Sequence, residues 1–188
     1  WILASGSPRR RELLEMLGVP DLTIRPATGP ERATPGAGPE QTVRELSLHK
    51  AQEVAQTCAP EDIIIAADTI VYLDGAILGK PKNHDDAVRM LTALSGREHI
   101  VYTGVAVLRG GELRQAAEHT AVRFRTLTPA EIERYIATGE PMDKAGAYGI
   151  QGRGALFVAH LDGDYFNVMG LPLCRLGQLL NELGVELL

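Results

Sequence analysis

The chain has little cysteine, few aromatic residues, no long apolar run and no excess of positive charge, and each shortage excludes a class of protein. The two cysteines, Cys58 and Cys174, match no metal-ligand spacing and provide no disulfide framework. Both lie in apolar helical patterns, so we expect two reduced core thiols in a cytoplasmic protein. No apolar stretch is long enough to span a bilayer, and residues 1–4 are too short for the core of a signal peptide.

Charge and aromatic content argue against general nucleic-acid binding. The 188 residues carry 19 Lys and Arg against 24 Asp and Glu, a formal net charge of −5, and only 5% are aromatic. A nucleic-acid backbone needs a basic face, and single strands are held largely by aromatic stacking. A locally basic pocket on an acidic protein can still hold one small anion. Hydrophobic residues make up 45%, which excludes a disordered chain.

Intermixed helix and strand patterns predict an α/β fold with a mixed sheet and flanking helices, in a single domain over residues 1–188. The chain opens with a predicted strand, turn and helix between residues 1 and 18. Further helices are predicted at 39–58, at 83–96, from a capping box at Thr128 to Gly139, and from Pro172 onwards. Further strands are predicted at 62–72, 76–78, 99–108 and 112–125. The frequent hairpins favour a mixed sheet over a parallel one.

The first candidate site is the predicted turn between strand and helix at residues 5–10, Ser-Gly-Ser-Pro-Arg-Arg. A helix N-terminus presents backbone N–H groups and favours negative charge. Polar and cationic side chains are added there by Ser5, Ser7, Arg9 and Arg10. Phosphate groups bind well to such a combination. The P-loop pattern is absent, and an ordinary capped helix with solvated arginines is an equally weighted alternative.

The second candidate is Asp68, which with Thr69 ends the apolar run 63–67. Aspartate is disfavoured in strands and is costly to bury without a partner. We therefore favour a role as a metal ligand or general base over a structural carboxylate that bonds a nearby turn.

Two later segments also carry groups suited to a nucleotide. Lys80 lies between glycine and proline, so its backbone is positioned more firmly than that of a lysine in a flexible surface loop. A solvated loop lysine is the alternative interpretation. The glycine-rich loop 140–154 contains Tyr148, which could stack on a ligand or bond it, and Gln151, whose amide could read a base edge. Taken alone, Lys50 has the pattern of a surface residue, and Glu31 in the Pro/Gly-rich loop is an isolated acid.

Together these segments resemble the Maf family of nucleoside triphosphate pyrophosphatases, once described as septum-formation inhibitors. The resembling segments run almost from end to end and comprise residues 5–14, 67–71, 79–81, 94–96, 143–152 and 170–172. The resemblance implies a fold similar to that of inosine triphosphate pyrophosphatases, with two lobes around a cleft. It also implies hydrolysis of a nucleoside triphosphate to the monophosphate and pyrophosphate, a divalent cation (Mg²⁺ or Mn²⁺) and a homodimer.

The resemblance implies roles for individual residues as well. Asp68 corresponds to the catalytic proton acceptor, and the substrate-selecting positions correspond to Arg9, Thr69 and Gln151. The expected phosphate-binding residues are Ser5, Arg10, Lys50 and Lys80, and the expected metal ligands are Asp68 and Glu31. The Tyr-Gly-Ile-Gln-Gly form of residues 148–152 resembles the branch that acts on dTTP and UTP, rather than the branch that acts on 7-methyl-GTP.

Two other functions stay open. One is a pyrophosphatase for modified nucleotides, and the other is a nucleotide-binding regulator of septum formation that does not turn its ligand over. The carboxylate at Asp68 favours catalysis, because a sensor needs to hold the phosphates but does not need a general base.

Overall fold

The computed structural model describes all residues, 1–188, and has the predicted α/β architecture with a mixed sheet. Seven strands form one sheet in the order β2-β1-β3-β5-β6-β7, with β4 paired to β3. The strands are β1 (Ile2–Leu3), β2 (Thr23–Ile24), β3 (Ile64–Leu73), β4 (Ala76–Leu78), β5 (Glu98–Arg109), β6 (Glu112–Phe124) and β7 (Val158–Asp162). β1 pairs in parallel with β2 and β3, whereas β4 with β3 and β7 with β6 are antiparallel pairs.

The helices are α1 (Pro8–Met16), α2 (Pro39–Ala55), α3 (His84–Leu94), α4 (Pro129–Ile136), α5 (Tyr165–Met169) and α6 (Leu173–Glu182). Two of their start signals are confirmed in detail. Thr128 and Glu131 form the reciprocal capping box at the start of α4, and the Asn83 side chain accepts from the Asp86 amide at the start of α3. None of the helices combines the length and apolar character needed to cross a membrane.

The chain forms two compact units. The first comprises residues 1–68, 103–118 and 170–188, and the second comprises residues 69–102 and 119–169. That residues 1–188 act as one domain stays a prediction.

In the first unit, an apolar cluster lies between α2 and the strands. It consists of Ile2, Ala4, Ala51, Val54, Ile64, Ala66 and Ala106. Gly104 of β5 lies against α2 so closely that an added Cβ would stand 2.1 Å from the Val43 carbonyl oxygen. Small residues at this contact let helix and strand approach closely, which fixes where α2 crosses the sheet.

The second unit has a cluster of rings as well as buried aliphatic side chains such as Leu91 and Leu94. His99, Phe124 and Tyr148 meet edge to face, and Phe157 joins Phe124 to Tyr135 with ring centroids 5.8 and 4.8 Å apart. Four of the nine aromatic residues of the chain therefore lie in this cluster, and one of them, Tyr148, belongs to the glycine-rich loop.

The cysteines differ from the sequence prediction. Both are free, as expected, but Cys174 is exposed on α6 and Cys58 is only partly buried beyond the end of α2. The prediction of a core thiol is wrong for Cys174, because the apolar stripe of α6 consists of Leu176, Leu179 and Leu180 and Cys174 lies beside it. Cys58 packs against the apolar cluster of the first unit.

Candidate active site

The centre of the candidate site in the first unit is Lys50, late on α2. Its Nζ forms an ion pair with Asp68 Oδ1 on β3 and a second with Glu31 Oε1 at 2.8 Å. The side chains of Lys50 and Asp68 are 17% and 11% exposed, whereas that of Glu31 is 63% exposed. The interpretation of Lys50 as a surface residue is therefore wrong. Its partners lie on other elements, so the helical pattern around it could not reveal them.

Glu31 is brought to Lys50 by a segment that is fastened to α2 at both ends. We call residues 28–34 the strap. Glu53 accepts hydrogen bonds from the amides of Thr28 (2.7 Å) and Gly29 (3.0 Å), and Glu45 accepts from the amide of Thr34 (2.7 Å). These backbone hydrogen bonds lower the pKa of both carboxyl groups. The Pro/Gly-rich segment thus has defined anchors on either side of Glu31.

The turn at residues 5–10 is organised by its own side chains. Ser5 is buried, and its Oγ accepts from the Ser7 amide (3.2 Å) and from Arg10 Nη1 (2.9 Å). Arg10 Nε donates to the Gly170 carbonyl oxygen at 2.7 Å. Ser7 takes the predicted N-cap position of α1, but its side chain makes no capping bond. Arg10 therefore holds the turn in shape as well as contributing positive charge.

Electrostatics places the charged groups of the first unit in one neighbourhood. Burial lowers the pKa of the Arg10 guanidinium, the charge of Asp68 opposes that shift, and Arg9 and Glu31 also act on it. Six residues that the sequence singled out are thus brought together in this unit, namely Ser5, Arg9, Arg10, Glu31, Lys50 and Asp68. A phosphate placed there meets cations beside a buried carboxylate.

The remaining predicted residues belong to the second unit. Thr69 follows Asp68 on β3 and is half-buried, while Lys80 and Gln151 are exposed. The Gly146 amide donates to the Gly79 carbonyl oxygen at 3.1 Å, so the backbone beside Lys80 is joined to the glycine-rich loop that carries Gln151.

The glycine-rich loop 140–154 is built from three 3₁₀ turns, at Glu140–Asp143, Ala145–Ala147 and, continuing beyond it, Arg153–Phe157. Tyr148 is buried and its hydroxyl is 2.7 Å from His99 Nε2. The suggestion that Tyr148 stacks on a ligand or bonds it is therefore wrong, because its ring is part of the core. Gly146 has a φ of 69°, and a Cβ there would stand 2.8 Å from a Val71 methyl carbon.

The sequence interpretation missed the carboxylates that hold these segments. Three glutamates accept hydrogen bonds from backbone amides more than ten residues away in the chain, namely Glu45, Glu53 and Glu140. Such bonds have no fixed spacing, so no motif signals them. The only cue in the sequence was that Glu140 is the first residue of the glycine-rich loop.

Asp68 and Glu31 offer the oxygen ligands that Mg²⁺ and Mn²⁺ prefer. No group of three or more His, Cys, Asp or Glu side chains is arranged to hold a metal ion. Mg²⁺ usually binds to one or two carboxylates together with substrate phosphates and water. The pair of carboxylates on Lys50 therefore fits a metal that arrives with its nucleotide.

Comparison with known proteins shows the family of the chain. The chain matches the family model described as Maf: Maf-like protein over residues 1–183, and it belongs to that family. It is 52% identical to the dTTP/UTP pyrophosphatase of Moorella thermoacetica, over 98% of this chain and 95% of the relative. It is 49% identical to the dTTP/UTP pyrophosphatase of Dictyoglomus thermophilum, over 100% of this chain and 97% of the relative.

A solved structure of a HAM1 protein from Coxiella burnetii has a TM-score of 0.52 and 15% identity, and the match covers 96% of this chain and 98% of that chain. This similarity concerns the fold alone. The predicted α/β fold with a mixed sheet and flanking helices is confirmed, and this HAM1 protein shares it.

Proposed function

We propose that this protein hydrolyses dTTP and UTP to the nucleoside monophosphate and pyrophosphate, by attack of water on the α-phosphorus. The observation that carries the proposal is the cluster in which Lys50 forms ion pairs with both buried Asp68 and Glu31. The charges of both carboxylates also act on the pKa of the Arg10 guanidinium. Family membership and the names of the relatives support the choice of reaction and of pyrimidine nucleotides.

The cations of the chain bind the triphosphate. The substrate carries about four negative charges, so a protein of net charge −5 must concentrate positive groups locally. Arg9, Arg10 and Lys50 do so in the first unit, where the N-terminus of α1 adds backbone donors. Lys80, in the second unit, is a further proposed phosphate-binding residue.

Asp68 accepts the proton of the attacking water. A carboxylate buried in a strand and held by one lysine has little freedom, so its orientation is set before the substrate arrives. Asp68 and Glu31 would also hold the divalent cation. When bound, this cation would neutralise phosphate charge and lower the pKa of its bound water.

The base is selected by Arg9, Thr69 and Gln151. A site built to hydrogen-bond one base rejects others by leaving buried polar groups unpaired. Replacing Gln151 with alanine is therefore expected to change the order of preference among dTTP, UTP, CTP and GTP.

The proposal is tested by measuring pyrophosphate release from these four triphosphates with Mg²⁺ or Mn²⁺. We expect turnover of dTTP and UTP, and we expect Asp68→Asn to lower kcat by about a hundredfold or more. Asp74→Asn, an exposed carboxylate paired with Arg97, is the matched control and keeps wild-type activity. An Asp68→Asn enzyme within a few-fold of wild type, with unchanged circular dichroism, would remove Asp68 from the mechanism.

Extending this measurement to modified nucleoside triphosphates and to nucleotide binding separates the alternatives. Turnover restricted to modified nucleotides would identify a pyrophosphatase for damaged nucleotides. Tight nucleotide binding without pyrophosphate release would identify a regulator.

The family resemblance also supports three wider proposals: residues 1–188 act as one domain, the protein is a homodimer, and it works in the cytoplasm without binding nucleic acid or membrane. Sedimentation equilibrium tests the dimer, cell fractionation tests the location, and oligonucleotide and vesicle binding at low salt test the last point.

A further inference from the structure

The carboxylate of Glu140 lies inside the curve of the loop that carries Gln151. Its Oε2 accepts from the Arg153 amide at 3.0 Å, and its Oε1 accepts from the Gly154 amide at 3.1 Å. The Tyr135 hydroxyl donates to the same Oε1 at 2.8 Å and accepts from the Gly149 amide at 3.0 Å. Backbone groups on both sides of Gln151 are therefore tied to two side chains.

The loop is shaped around this carboxylate. A Cβ at Gly152 would stand 2.6 Å from the Glu140 carboxylate, and a Cβ at Gly154 would stand 2.5 Å from the Gly149 carbonyl oxygen and 2.9 Å from the Tyr135 hydroxyl. Only glycine permits so close an approach of the backbone. The Glu140 carboxylate and the Tyr135 hydroxyl thus occupy the space that side chains at positions 152 and 154 would otherwise take.

Both side chains are in the ionisation state that this arrangement requires. Burial raises the pKa of Tyr135, so its hydroxyl keeps the proton it donates. Partial burial raises the pKa of Glu140, but the amides of Arg153 and Gly154 outweigh this effect, and the net shift is downward. Tyr135 is in turn fixed by the ring of Phe157, with centroids 4.8 Å apart.

A glutamine needs such support if it is to distinguish bases. Its amide offers both donors and an acceptor, so a freely moving glutamine can satisfy either the keto group of thymine and uracil or the amino group of cytosine by rotating. Discrimination requires the backbone on both sides to be held, because a displacement of about 1 Å can cost about a hundredfold in rate.

We propose that Glu140 and Tyr135 are positioning residues that hold the backbone of residues 149–154 and thereby let Gln151 select keto pyrimidines, an inference that rests on the proposed function. Neither residue needs to touch the nucleotide. Their effect is on base preference, through the loop.

Two variants and one control test this. Glu140→Gln keeps the shape but replaces one acceptor oxygen by an NH2 donor that faces backbone N–H donors, and Tyr135→Phe removes both bonds of the hydroxyl. Glu133→Gln, on the same helix as Tyr135, changes a carboxylate that bonds only the His84 side chain. The readouts are kcat and KM for dTTP and dCTP, together with amide hydrogen exchange at residues 149, 153 and 154.

We expect the ratio of kcat/KM for dTTP over dCTP to fall about tenfold or more in both variants, chiefly through a higher KM for dTTP. Exchange at the three amides should accelerate in both variants and stay unchanged in Glu133→Gln. A merely structural role would lower the melting temperature and leave the ratio of the folded enzyme unchanged, and that result would overturn the inference.

The failure of the inference is distinct from the failure of the proposed function. A wild type that releases no pyrophosphate from dTTP or UTP overturns the function and the selectivity claim with it. A wild type that prefers dTTP, with variants that keep this preference, overturns only the role of Glu140 and Tyr135. Unchanged amide exchange in Glu140→Gln also overturns it, whatever the activity.

Discussion

At the scale of single residues, Lys50 allows Asp68 to be a buried anion within β3. An uncompensated buried carboxylate is strongly destabilising, and removing one partner of such a pair leaves the other unpaired. Lys50 also draws in Glu31, which is largely exposed and would otherwise be hydrated. One side chain therefore serves the stability of the strand and brings together the two carboxylates of the site.

This dual role predicts a distinctive pattern in a double-mutant series. Lys50→Met is expected to lower the free energy of unfolding by about 3 kcal/mol and kcat/KM by about a hundredfold, because Asp68 loses its partner and the phosphates lose a cation. Adding Asp68→Asn to Lys50→Met should restore part of the stability and none of the activity. Urea unfolding and pyrophosphate release measure the two effects.

Arg11→Met is the control, because Arg11 is exposed and pairs only with Glu15 on its own helix. It should leave stability and activity close to wild type. Equal stability of Lys50→Met and the wild type would show that the ion pair with Asp68 contributes nothing.

At the scale of elements, the strap shows how an irregular segment acquires a defined position. Glu45 accepts a hydrogen bond from the Thr34 amide, and Glu53 accepts hydrogen bonds from the amides of Thr28 and Gly29. Because hydrogen bonds lower the pKa of both carboxyl groups, this anchoring is present above the ordinary pKa of 4.5 and is lost as the pH falls below it.

The paired variant Glu45→Gln/Glu53→Gln is therefore expected to loosen the strap and with it Glu31. The Mg²⁺ concentration for half-maximal activity should rise several-fold, while KM for dTTP at saturating Mg²⁺ changes little. Glu40→Gln, whose carboxylate bonds only Arg44 on the same helix, is the control. Identical Mg²⁺ dependence in the paired variant and the control would contradict a positioning role for the strap.

The approach of β5 to α2 gives a prediction about stability. Gly104→Ala places a Cβ 2.1 Å from the Val43 carbonyl oxygen and 2.9 Å from the Arg44 amide nitrogen, so strand and helix must separate. We expect a loss of about 1–3 kcal/mol or more in the free energy of unfolding.

Gly177→Ala is the matched substitution within α6, where nothing lies within 4 Å of the added Cβ. It should stabilise the protein by about 0.5–1 kcal/mol, because alanine favours a helix. Urea unfolding of the two variants should therefore shift in opposite directions. A neutral Gly104→Ala would show that the contact is not tight.

These elements also show what the sequence can and cannot reveal. Capping at Asn83 and Thr128 is local, so the starts of α3 and α4 were predictable from a few neighbouring residues. The partners of Lys50 and Glu140 are determined by how segments distant in sequence pack together. A glutamate that accepts a hydrogen bond from a distant backbone amide produces no periodic pattern in the sequence. The site could be predicted as a set of residues, whereas the side chains that hold it could not.

At the scale of the whole molecule, the fold tolerates wide changes in sequence. The HAM1 protein of Coxiella burnetii shares it at 15% identity. Cores accept extensive hydrophobic substitution when volume and patterning are kept. Within this core, one polar contact couples the stability of the whole chain to pH.

His99 is that contact. It is only 2% exposed, its Nε2 bonds the Tyr148 hydroxyl, and its Nδ1 has no partner. Desolvation lowers its pKa from 6.5 to about 4, so the native state keeps the imidazole neutral where the unfolded chain is protonated. The stabilisation is complete above pH 6.5 and is lost as the pH falls towards 4.

We therefore expect the free energy of unfolding to fall by up to about 1.4 kcal/mol per pH unit below pH 6.5, through His99 alone. Carboxyl groups add to this fall only near and below their ordinary pKa of 4.5, whereas His84, whose pKa is raised by Asp85 and Glu133, opposes it. The difference between the wild type and His99→Leu from pH 6.5 to 5.5 therefore assigns the slope to His99. Urea unfolding across this interval should show the slope in the wild type. His99→Leu should be less stable at pH 7.5, because Tyr148 loses its partner, but should lack the slope. A His99→Leu variant with the wild-type slope would assign the proton uptake to another group.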